Sequence, residues 1–503
     1  MKQKRFRNHF SIVLERVGKW ILFFLMIIWS NAEKWWEAFQ PEHIAENKTT
    51  AFWMMLIVIL PFVLLMIYQI IVWSKTYIGV NENAIVVERN TINKQTQTIG
   101  INHISNVNIE QNLFERIMGT CKVKLDTNTL STANTTDVLI LLKKTMAEQF
   151  KADIMEKLQQ DESDLSKEKD QEEGKRKNQY EASRRDVIWN GICEISVVLL
   201  IISMVMLGAG IIGGFNSIKE IKAGQSRGIS LNMILAIGFM GSSIWGIVKG
   251  FIKYVQFKVS REQDKIYLQY GLLKKVEYTV PVDKISGVVI KQTFIARLLG
   301  RYILEVINIG SSDEQGETGN RLGLACKKEK LDELLIALLP EYQEVNLSRL
   351  QKQPKSAMIL EGLKCIISLL IFSMCIGIGA RFFFGYSLKQ LHLWIGIVWS
   401  MIFIVLALAW TFSGYESQGL YINDQYMMIA TGRLGRKIQI LKYEKVQYVR
   451  VNENILGHAY GIAKGRVHLL ASAMHQEKEI PYCPYTELEW VLDKVIQTGK
   501  ADI

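Results

Sequence analysis

The apolar residues of the chain are gathered into six blocks, separated by longer polar stretches. Five blocks approach or exceed the roughly 20 residues that a helix needs to cross a bilayer, and the first block is shorter. The polar stretches contain short β-like runs instead. The pattern therefore predicts six transmembrane helices and three polar domains. The blocks are Trp20–Trp29, Phe52–Trp73, Val187–Ile212, Ile229–Val248, Met358–Ala380 and Leu391–Phe412.

The first block also fits a cleaved signal peptide. The basic sequence MKQKRFR precedes it, and Ser30-Asn31-Ala32 resembles a cleavage site between small residues. In either interpretation the second helix enters from outside, so the predicted orientation of everything downstream is the same.

The blocks come in pairs joined by short loops, which predicts three hairpins with every long polar region on one side. Basic residues concentrate near the helix ends on that side, as is typical of cytoplasmic loops. The excess of 60 Lys and Arg over 49 Asp and Glu largely reflects this distribution. We therefore expect a multi-pass protein of the cell (inner) membrane with cytoplasmic domains.

One sequence phrase occurs three times, most completely as DKISGVVIKQTFIARLLG. When its copies are aligned on Ile104, Ile285 and Val446, a glycine follows fifteen residues later in each, and we name the copies repeats 1, 2 and 3. Other positions also keep their spacing without gaps. The recurring residues are Gly119, Gly300 and Gly461; Gln111, Gln292 and Glu453; Arg116, Arg297 and His458; and Asn90, Gly271 and Gly432.

The last of these sets separates two β-like runs in each repeat. Glycine and asparagine tolerate the positive φ of tight turns, so Asn90, Gly271 and Gly432 are expected in hairpin turns. Further short strands follow, and an amphipathic helix closes each repeat. Each polar domain is therefore predicted to be a small β-barrel or sandwich capped by its C-terminal helix.

Paired apolar helices followed by this phrase resemble the bacterial pleckstrin-homology-like (PH-like) module of the membrane-flanked type. Three such modules in one chain resemble the YdbT-like bacterial multi-pass membrane proteins. The motif is complete at Ile285, Gln292, Arg297, Leu299 and Gly300, whereas repeat 3 has Glu453, His458 and Tyr460. The resemblance implies an α+β membrane protein that works beside a smaller one-module membrane protein in envelope integrity or antimicrobial tolerance.

These patterns divide the chain into seven predicted segments, with a highly charged linker that we expect to extend a helix. They are an N-terminal segment with the first hairpin at 1–74, PH-like domain 1 at 75–160, the linker at 161–186, the second hairpin at 187–254, PH-like domain 2 at 255–345, the third hairpin at 346–414 and PH-like domain 3 at 415–500.

The sequence contains no nucleophile elbow, P-loop, H-E-x-x-H pair or C-x-x-C pair. We therefore predict a protein that is not an enzyme and binds neither a cofactor, a metal nor nucleic acid. The six cysteines are interpreted as small apolar residues in a reducing compartment.

Cations follow the hairpin turn in every repeat, and each gains roughly 1 kcal/mol near an anionic leaflet. They are either solvated turn residues or sites for lipid headgroups or a protein partner. The cations are Lys94, Lys274, Lys275, Arg433, Arg436 and Lys437.

Charges also lie within the apolar blocks, at Glu194, Glu361 and Lys364. They belong either to a transport path or to the membrane interface. We interpret the protein as a non-enzymatic scaffold for assembly. The alternatives are a sensor of anionic lipid headgroups and a transporter or export component.

Overall fold

A computed structural model gives the architecture of the chain. It describes residues 4–30, 60–81, 83–91, 94–127, 138–163, 178–222, 231–308, 321–384, 390–469 and 477–501. The chain divides into two compact units. The first contains residues 1–132, 136–173 and 273–278, and the second contains residues 133–135, 174–272 and 279–503.

From here on, each repeat means the whole module that contains one copy of the phrase, together with the helices before it. Among the described residues, repeat 1 begins with a three-residue strand, continues through helices and then forms six strands and a closing helix. Its elements are β1 (Lys4–Phe6), α1 (Ser11–Ser30), α2 (60–74), β2 (Thr76–Val80), β3 (Ala84–Asn90), β4 (Lys94–Gly100), β5 (Ile104–Gln111), α3 (Leu113–Met118), β6 (Thr120–Thr127), β7 (Val138–Lys143) and α4 (Lys144–Ser163).

Repeat 2 has the same order with one additional helix. Its elements are β8 (Asn178–Glu181), α5 (Arg184–Cys193), α6 (Val197–Lys222), α7 (Leu231–Lys253), β9 (Lys258–Glu262), β10 (Lys265–Tyr270), β11 (Lys275–Pro281), β12 (Ile285–Gln292), α8 (Phe294–Leu298), β13 (Tyr302–Asn308), β14 (Arg321–Cys326) and α9 (Lys328–Leu338).

Repeat 3 again starts with a short strand. Its elements are β15 (Gln351–Lys352), α10 (Lys355–Phe384), α11 (Gln390–Ser417), β16 (Gly419–Ile422), β17 (Tyr426–Thr431), β18 (Arg436–Lys442), β19 (Val446–Asn452), α12 (Ile455–Ala459), β20 (Ile462–Leu469), β21 (Glu477–Pro484) and α13 (Tyr485–Ala501).

All strand pairs described for the sheets are antiparallel. The first unit has one sheet in the order β1-β2-β3-β4, and β6 lies between β5 and β7 in another. The second unit contains a seven-stranded sheet in the order β14-β13-β12-β18-β17-β16-β15 and a three-stranded sheet in the order β19-β20-β21.

The closing helix seals the core of the repeat to which it belongs. In repeat 1, Phe150 and Ile154 of α4 pack with Val107 and Val123 of the sheet. In repeat 3, α13 contributes Leu488 and Val491 to a core that also includes strand residues. Burial of one apolar helix face against β-sheet side chains is the main source of stability in such a domain.

Each helix segment is preceded by a strand that the sequence analysis did not predict. The two to four residues of β1, β8 and β15 pair with β2, β9 and β16, the first strands after the helices. Such short runs have no detectable periodicity, and β8 lies inside the charged segment that we expected to be helical. The helices are therefore inserted between two neighbouring strands of one sheet.

The structure overturns one part of the predicted fold class. Among the residues that it describes, no helix is both long enough and apolar enough to cross a membrane. The prediction of six transmembrane helices in three hairpins is therefore wrong. Part of the predicted segment Phe52–Trp73 lies outside the described residues.

Several apolar blocks serve partly as packing surface for the domains, which explains the error. Residues Val187–Ile212 form two helices instead of one, and the first of them, α5, buries Val187 and Cys193 beside β14. At the start of α10, Leu360 is buried in a cluster with Tyr482 of repeat 3. The sequence shows that these residues are apolar but does not show which surface covers them.

Candidate functional site

Repeats 2 and 3 share one β-sheet. Strand β12 pairs antiparallel with β18 over six residue pairs, from Gly287 opposite Leu441 to Gln292 opposite Arg436. Seven of the eight residues of β12 are buried, because this strand also pairs with β13. We name the pairing of these two strands, and its equivalent elsewhere in the chain, the strand junction.

The same junction joins repeat 1 to the residues that open β11. Within the first unit, Gln111 lies opposite Lys275 and Ile109 lies opposite Glu277. When the repeats are aligned, Gln111 and Lys275 correspond to Gln292 and Arg436, which lie opposite each other in the junction of repeats 2 and 3. The repeated phrase therefore contains a strand that pairs with the following repeat in a fixed register.

The recurring glutamine has a structural role next to this junction. The side-chain amide of Gln111 donates a hydrogen bond to the carbonyl of Thr120 at 2.9 Å, and Gln292 donates to the carbonyl of Arg301 at 3.1 Å. Each bond joins the end of the strand to the backbone that follows the short helix. In repeat 3 a carboxylate replaces the amide, and Glu453 lies 3.1 Å from Nδ1 of His458 instead.

Replacing Gln292 with glutamate is expected to lower the unfolding free energy by about 1–2 kcal/mol, because the carbonyl of Arg301 loses its donor and faces a carboxylate. Thermal unfolding of the detergent-purified protein, followed by circular dichroism, would measure the change. The control is Glu453→Gln, which should change stability by less than about 0.5 kcal/mol. Equal losses in both variants would contradict the assigned role of Gln292.

The recurring arginine of repeat 2 contacts repeat 3. Its guanidinium donates to the carbonyl of Arg433 at 3.1 Å and to the hydroxyl of Ser417. This contact links Arg297 of one repeat to the hairpin turn of the next. The equivalent residue of repeat 1, Arg116, also makes a contact within the protein.

The glycines of the phrase adopt left-handed conformations. Gly119, Gly300 and Gly461 end the short helices with φ between +61° and +67°. In the hairpin turns, φ is +107° at Gly271 and +118° at Gly432. Asn90 is instead the last residue of β3 and pairs with Lys94.

The six candidate binding cations are divided between the two compact units. Lys94, Lys274 and Lys275 belong to the first unit, and Arg433, Arg436 and Lys437 belong to the second. Lys94 is exposed. The ammonium of Lys274 pairs with Glu110 at 2.8 Å, and that of Lys275 pairs with Glu277 at 3.0 Å.

Two of the three candidate cations of repeat 3 contact residues of their own unit, and Lys437 is half-buried opposite Lys291. Arg433 pairs with Glu361 of α10, and Arg436 donates to the carbonyl of Ser417 at 3.1 Å. Burial alone would raise the pKa of Glu361, but Lys464 and Arg433 outweigh it and hold this pKa below its ordinary value. Glu361 thus anchors α10 to the domain. A role of the six candidate cations in binding a lipid or a protein partner stays a prediction.

A buried ion network that the sequence analysis missed lies in repeat 2. Arg321 pairs with Glu194, which caps α5, and with Glu305 of β13 at 2.9 Å. Its guanidinium also lies 4.6 Å from the centre of the Tyr254 ring. Burial alone would raise the pKa of Glu305, but Arg321 and two lysines keep it below its ordinary value. Glu194 therefore orders the domain core.

A second buried cation, Lys478 of β21, lies in repeat 3. Burial, with a smaller effect of Lys437, lowers its pKa from 10.5 to about 8. The unfolded chain therefore holds this proton up to a higher pH than the folded protein does. The resulting stability penalty is complete below about pH 8 and disappears as the pH rises through 10.5.

Replacing Lys478 with methionine is expected to raise the unfolding free energy at pH 7 by about 2 kcal/mol, because no buried charge remains. The stability of the variant should also rise less between pH 8 and 10.5. Denaturant unfolding at several pH values would measure both effects. An exposed lysine, replaced as Lys328→Met, is the matched control, and an identical pH profile for Lys478→Met and the native protein would refute the expectation.

Within the described part of the chain, no group of three or more His, Cys, Asp or Glu residues could hold a metal ion. The thiols of Cys121, Cys193, Cys326 and Cys483 are buried and not in disulfides. Burial is the main cause that raises their pKa, to about 11 for Cys121, Cys193 and Cys326 and about 12 for Cys483. These thiols are poor nucleophiles at neutral pH.

The geometry defines a protein of PH-like modules, of which the second and third share one sheet. The family model described as the bacterial PH domain matches residues 23–158, 197–338 and 367–497. These matches cover most of the chain, which therefore belongs to the bacterial PH domain family.

The chain is similar to the UPF0699 transmembrane protein YdbT of Bacillus subtilis (strain 168). The two proteins are 23% identical over 248 residues, which represent 48% of this chain and 45% of YdbT. The match thus spans about half the length of this curated relative. The prediction of a YdbT-like protein with repeated bacterial PH domains is confirmed. No solved structure matches the chain.

Proposed function

We propose that this protein is a non-enzymatic, membrane-associated scaffold on which partner proteins assemble. The strand junction carries this proposal. The sheet shared by repeats 2 and 3 holds these two modules in a fixed register, which suits the assembly of partners.

The recurring residues support a structural role for the repeated phrase. Gln292 and Arg297 donate hydrogen bonds to backbone carbonyls, and Arg297 also donates to the hydroxyl of Ser417. These contacts join backbone segments of the modules. Bacterial PH domains and YdbT-like proteins are not typically catalytic. A scaffold accounts for the phrase without requiring a reaction.

Membrane association is supported by the family, by the name of the YdbT relative and by exposed apolar surface. Helices α6 and α7 pack against each other and expose large side chains such as Val205, Ile212, Ile237 and Trp245. Apolar patches of this kind mark surfaces that bind lipid or another protein. After cell fractionation, we expect the protein in the membrane pellet, with release by detergent and not by 1 M salt.

The proposed partner is a smaller membrane protein with one module of the same family, as the resemblance implies. Purification of the tagged full-length chain from native membranes in mild detergent should recover this partner. Gly287→Ala should reduce the recovery, because a Cβ there would lie 2.7 Å from Leu441 Cδ2 and 2.9 Å from the carbonyl oxygen of Ile440 in the strand junction.

Gly241→Ala is the matched control, because a Cβ at this position meets no atom within 4 Å. The native protein and this control should recover the same amount of partner. Purification of the native chain without any associated membrane protein would refute the proposed assembly.

We propose envelope integrity or antimicrobial tolerance as the process that the scaffold serves. The proposal rests on the resemblance to YdbT-like proteins. Deletion of the coding sequence should sensitise cells to membrane-active antibiotics, and Gly287→Ala should complement the deletion less well than Gly241→Ala. Equal complementation by the two variants would show that this process does not depend on the strand junction.

A further inference from the structure

Within the described part of the chain, two strands at opposite ends of the repeat series lack the neighbouring strand that their equivalents have. Among the described strands, β19 is the last strand of a three-stranded sheet and β4 is the last strand of a four-stranded sheet. Their equivalents are the two sides of the strand junction. Strand β19 corresponds to β12, and β4 corresponds to β18.

Exposure follows from this difference in neighbours. Strand β12 is almost completely buried, whereas every residue of β19 is exposed or half-buried. The first five residues of β4 are exposed. An edge strand with its backbone accessible is a template for pairing with another chain.

We propose that β19 of one chain pairs antiparallel with β4 of a second copy, continuing the strand junction between molecules. This inference rests on the proposed assembly function and specifies an additional partner. The interface is head to tail, so the two strands come from different surfaces of the molecule, and successive copies form a ring or an open series.

The two junctions within the chain fix the register of the proposed pairing. Transferred to the chain ends, their common register places Arg450 opposite Gln97 and Val449 opposite Thr98, as Val289 lies opposite Gln439. No residue needs to be inserted or removed.

The same register places Glu453 opposite Lys94, at the position where Gln111 lies opposite Lys275. In both junctions within the chain the motif glutamine lies opposite a cation, Lys275 or Arg436, and repeat 3 has an acid at this position. An opposite-charge pair across two strands stabilises their pairing, whereas a like-charge pair opposes it. The Glu453 carboxylate lies 3.1 Å from His458, which is largely exposed and leaves room for a second cation.

Disulfide cross-linking between two preparations tests the proposal. One full-length preparation carries Arg450→Cys and the other carries Gln97→Cys, with different tags and with the native cysteines replaced by alanine. Directly opposite residues have Cβ atoms close enough for a disulfide after small movements. Mild oxidation of the mixture in detergent should yield a dimer that carries both tags.

The matched control pairs Arg450→Cys with Thr98→Cys, because a one-residue shift directs the second side chain to the opposite face. We expect at least about a fivefold lower yield from this control. Equal yields, or no dimer from either mixture, would overturn the proposal. Cross-linking of the Arg450→Cys chain to a different protein would also overturn it and would assign β19 to that protein.

Charge reversal gives a second readout that does not depend on cysteine. Lys94→Glu and Glu453→Lys should each decrease the dimer fraction measured by mass photometry, and the double variant should restore it. If neither single variant changes the dimer fraction, the proposed register is wrong. Recovery of the smaller partner would still support the proposed scaffold, so the two proposals can fail independently.

Discussion

Replacing Arg321 with alanine is expected to lower the unfolding free energy of the second unit by about 3–5 kcal/mol, because the half-buried charges of Glu194 and Glu305 then lose their buried cation. Thermal and denaturant unfolding of the purified protein would measure the loss. In the variant, burial without Arg321 should raise the pKa of Glu305, so the destabilisation should decrease as the pH falls and Glu305 is protonated.

The matched control is Arg466→Ala, which removes an exposed ion pair with Glu477. Its cost should stay below about 1 kcal/mol. The triple variant with Arg321→Met, Glu194→Gln and Glu305→Gln should recover much of the lost stability, since no unpaired charge remains. A small effect of Arg321→Ala that is also independent of pH would show that the network does not support the core.

Replacing Gly432 with alanine is expected to cost about 3–4 kcal/mol, from backbone strain and steric overlap together. The φ of +118° is unfavourable for any residue with a side chain, and the new Cβ would lie 2.3 Å from the carbonyl oxygen of Gly435. The turn also supplies the carbonyl that accepts from Arg297, so the strand junction should loosen with it. Unfolding of the second unit and its protease sensitivity would report both effects.

Gly461→Ala provides the comparison. This glycine has a φ of +63°, but a Cβ there meets no atom within 4 Å. The cost should therefore be limited to about 1–2 kcal/mol for the left-handed conformation. Similar losses for both alanine variants would contradict the importance of the contact with Gly435.

Much of the domain architecture can be predicted from the sequence, because it depends on local spacing. Fifteen residues separate Ile285 from Gly300 in repeat 2, and the same spacing in the other repeats indicates a common strand and turn. Pairing between repeats could not be predicted, since the continuous apolar run of β12 indicates that both faces are buried but not which strand pairs with its edge. The pairing of β12 with β18 depends on residues that lie about 150 positions apart.

The candidate site was less predictable than the fold. The sequence indicates that Gln292 and Arg297 recur, yet only the structure gives their acceptors, the carbonyls of Arg301 and Arg433. Arg321 gave no signal, because a single arginine before an apolar strand is indistinguishable from a surface residue. Glu194 was assigned either to a transport path or to the membrane interface, because its cationic partner lies 127 residues away and could not be recognised.

The strands β1, β8 and β15 have a mechanical consequence. Each is the first strand of a sheet whose second strand follows the helices, so both ends of a helix segment are fastened to adjacent strands. Because no long flexible linker separates these strands from the helices, we expect a tilt of the helices to twist the sheet. Through the junction of β12 with β18, a torque on the helices of repeat 3 would reach the sheet strands of repeat 2.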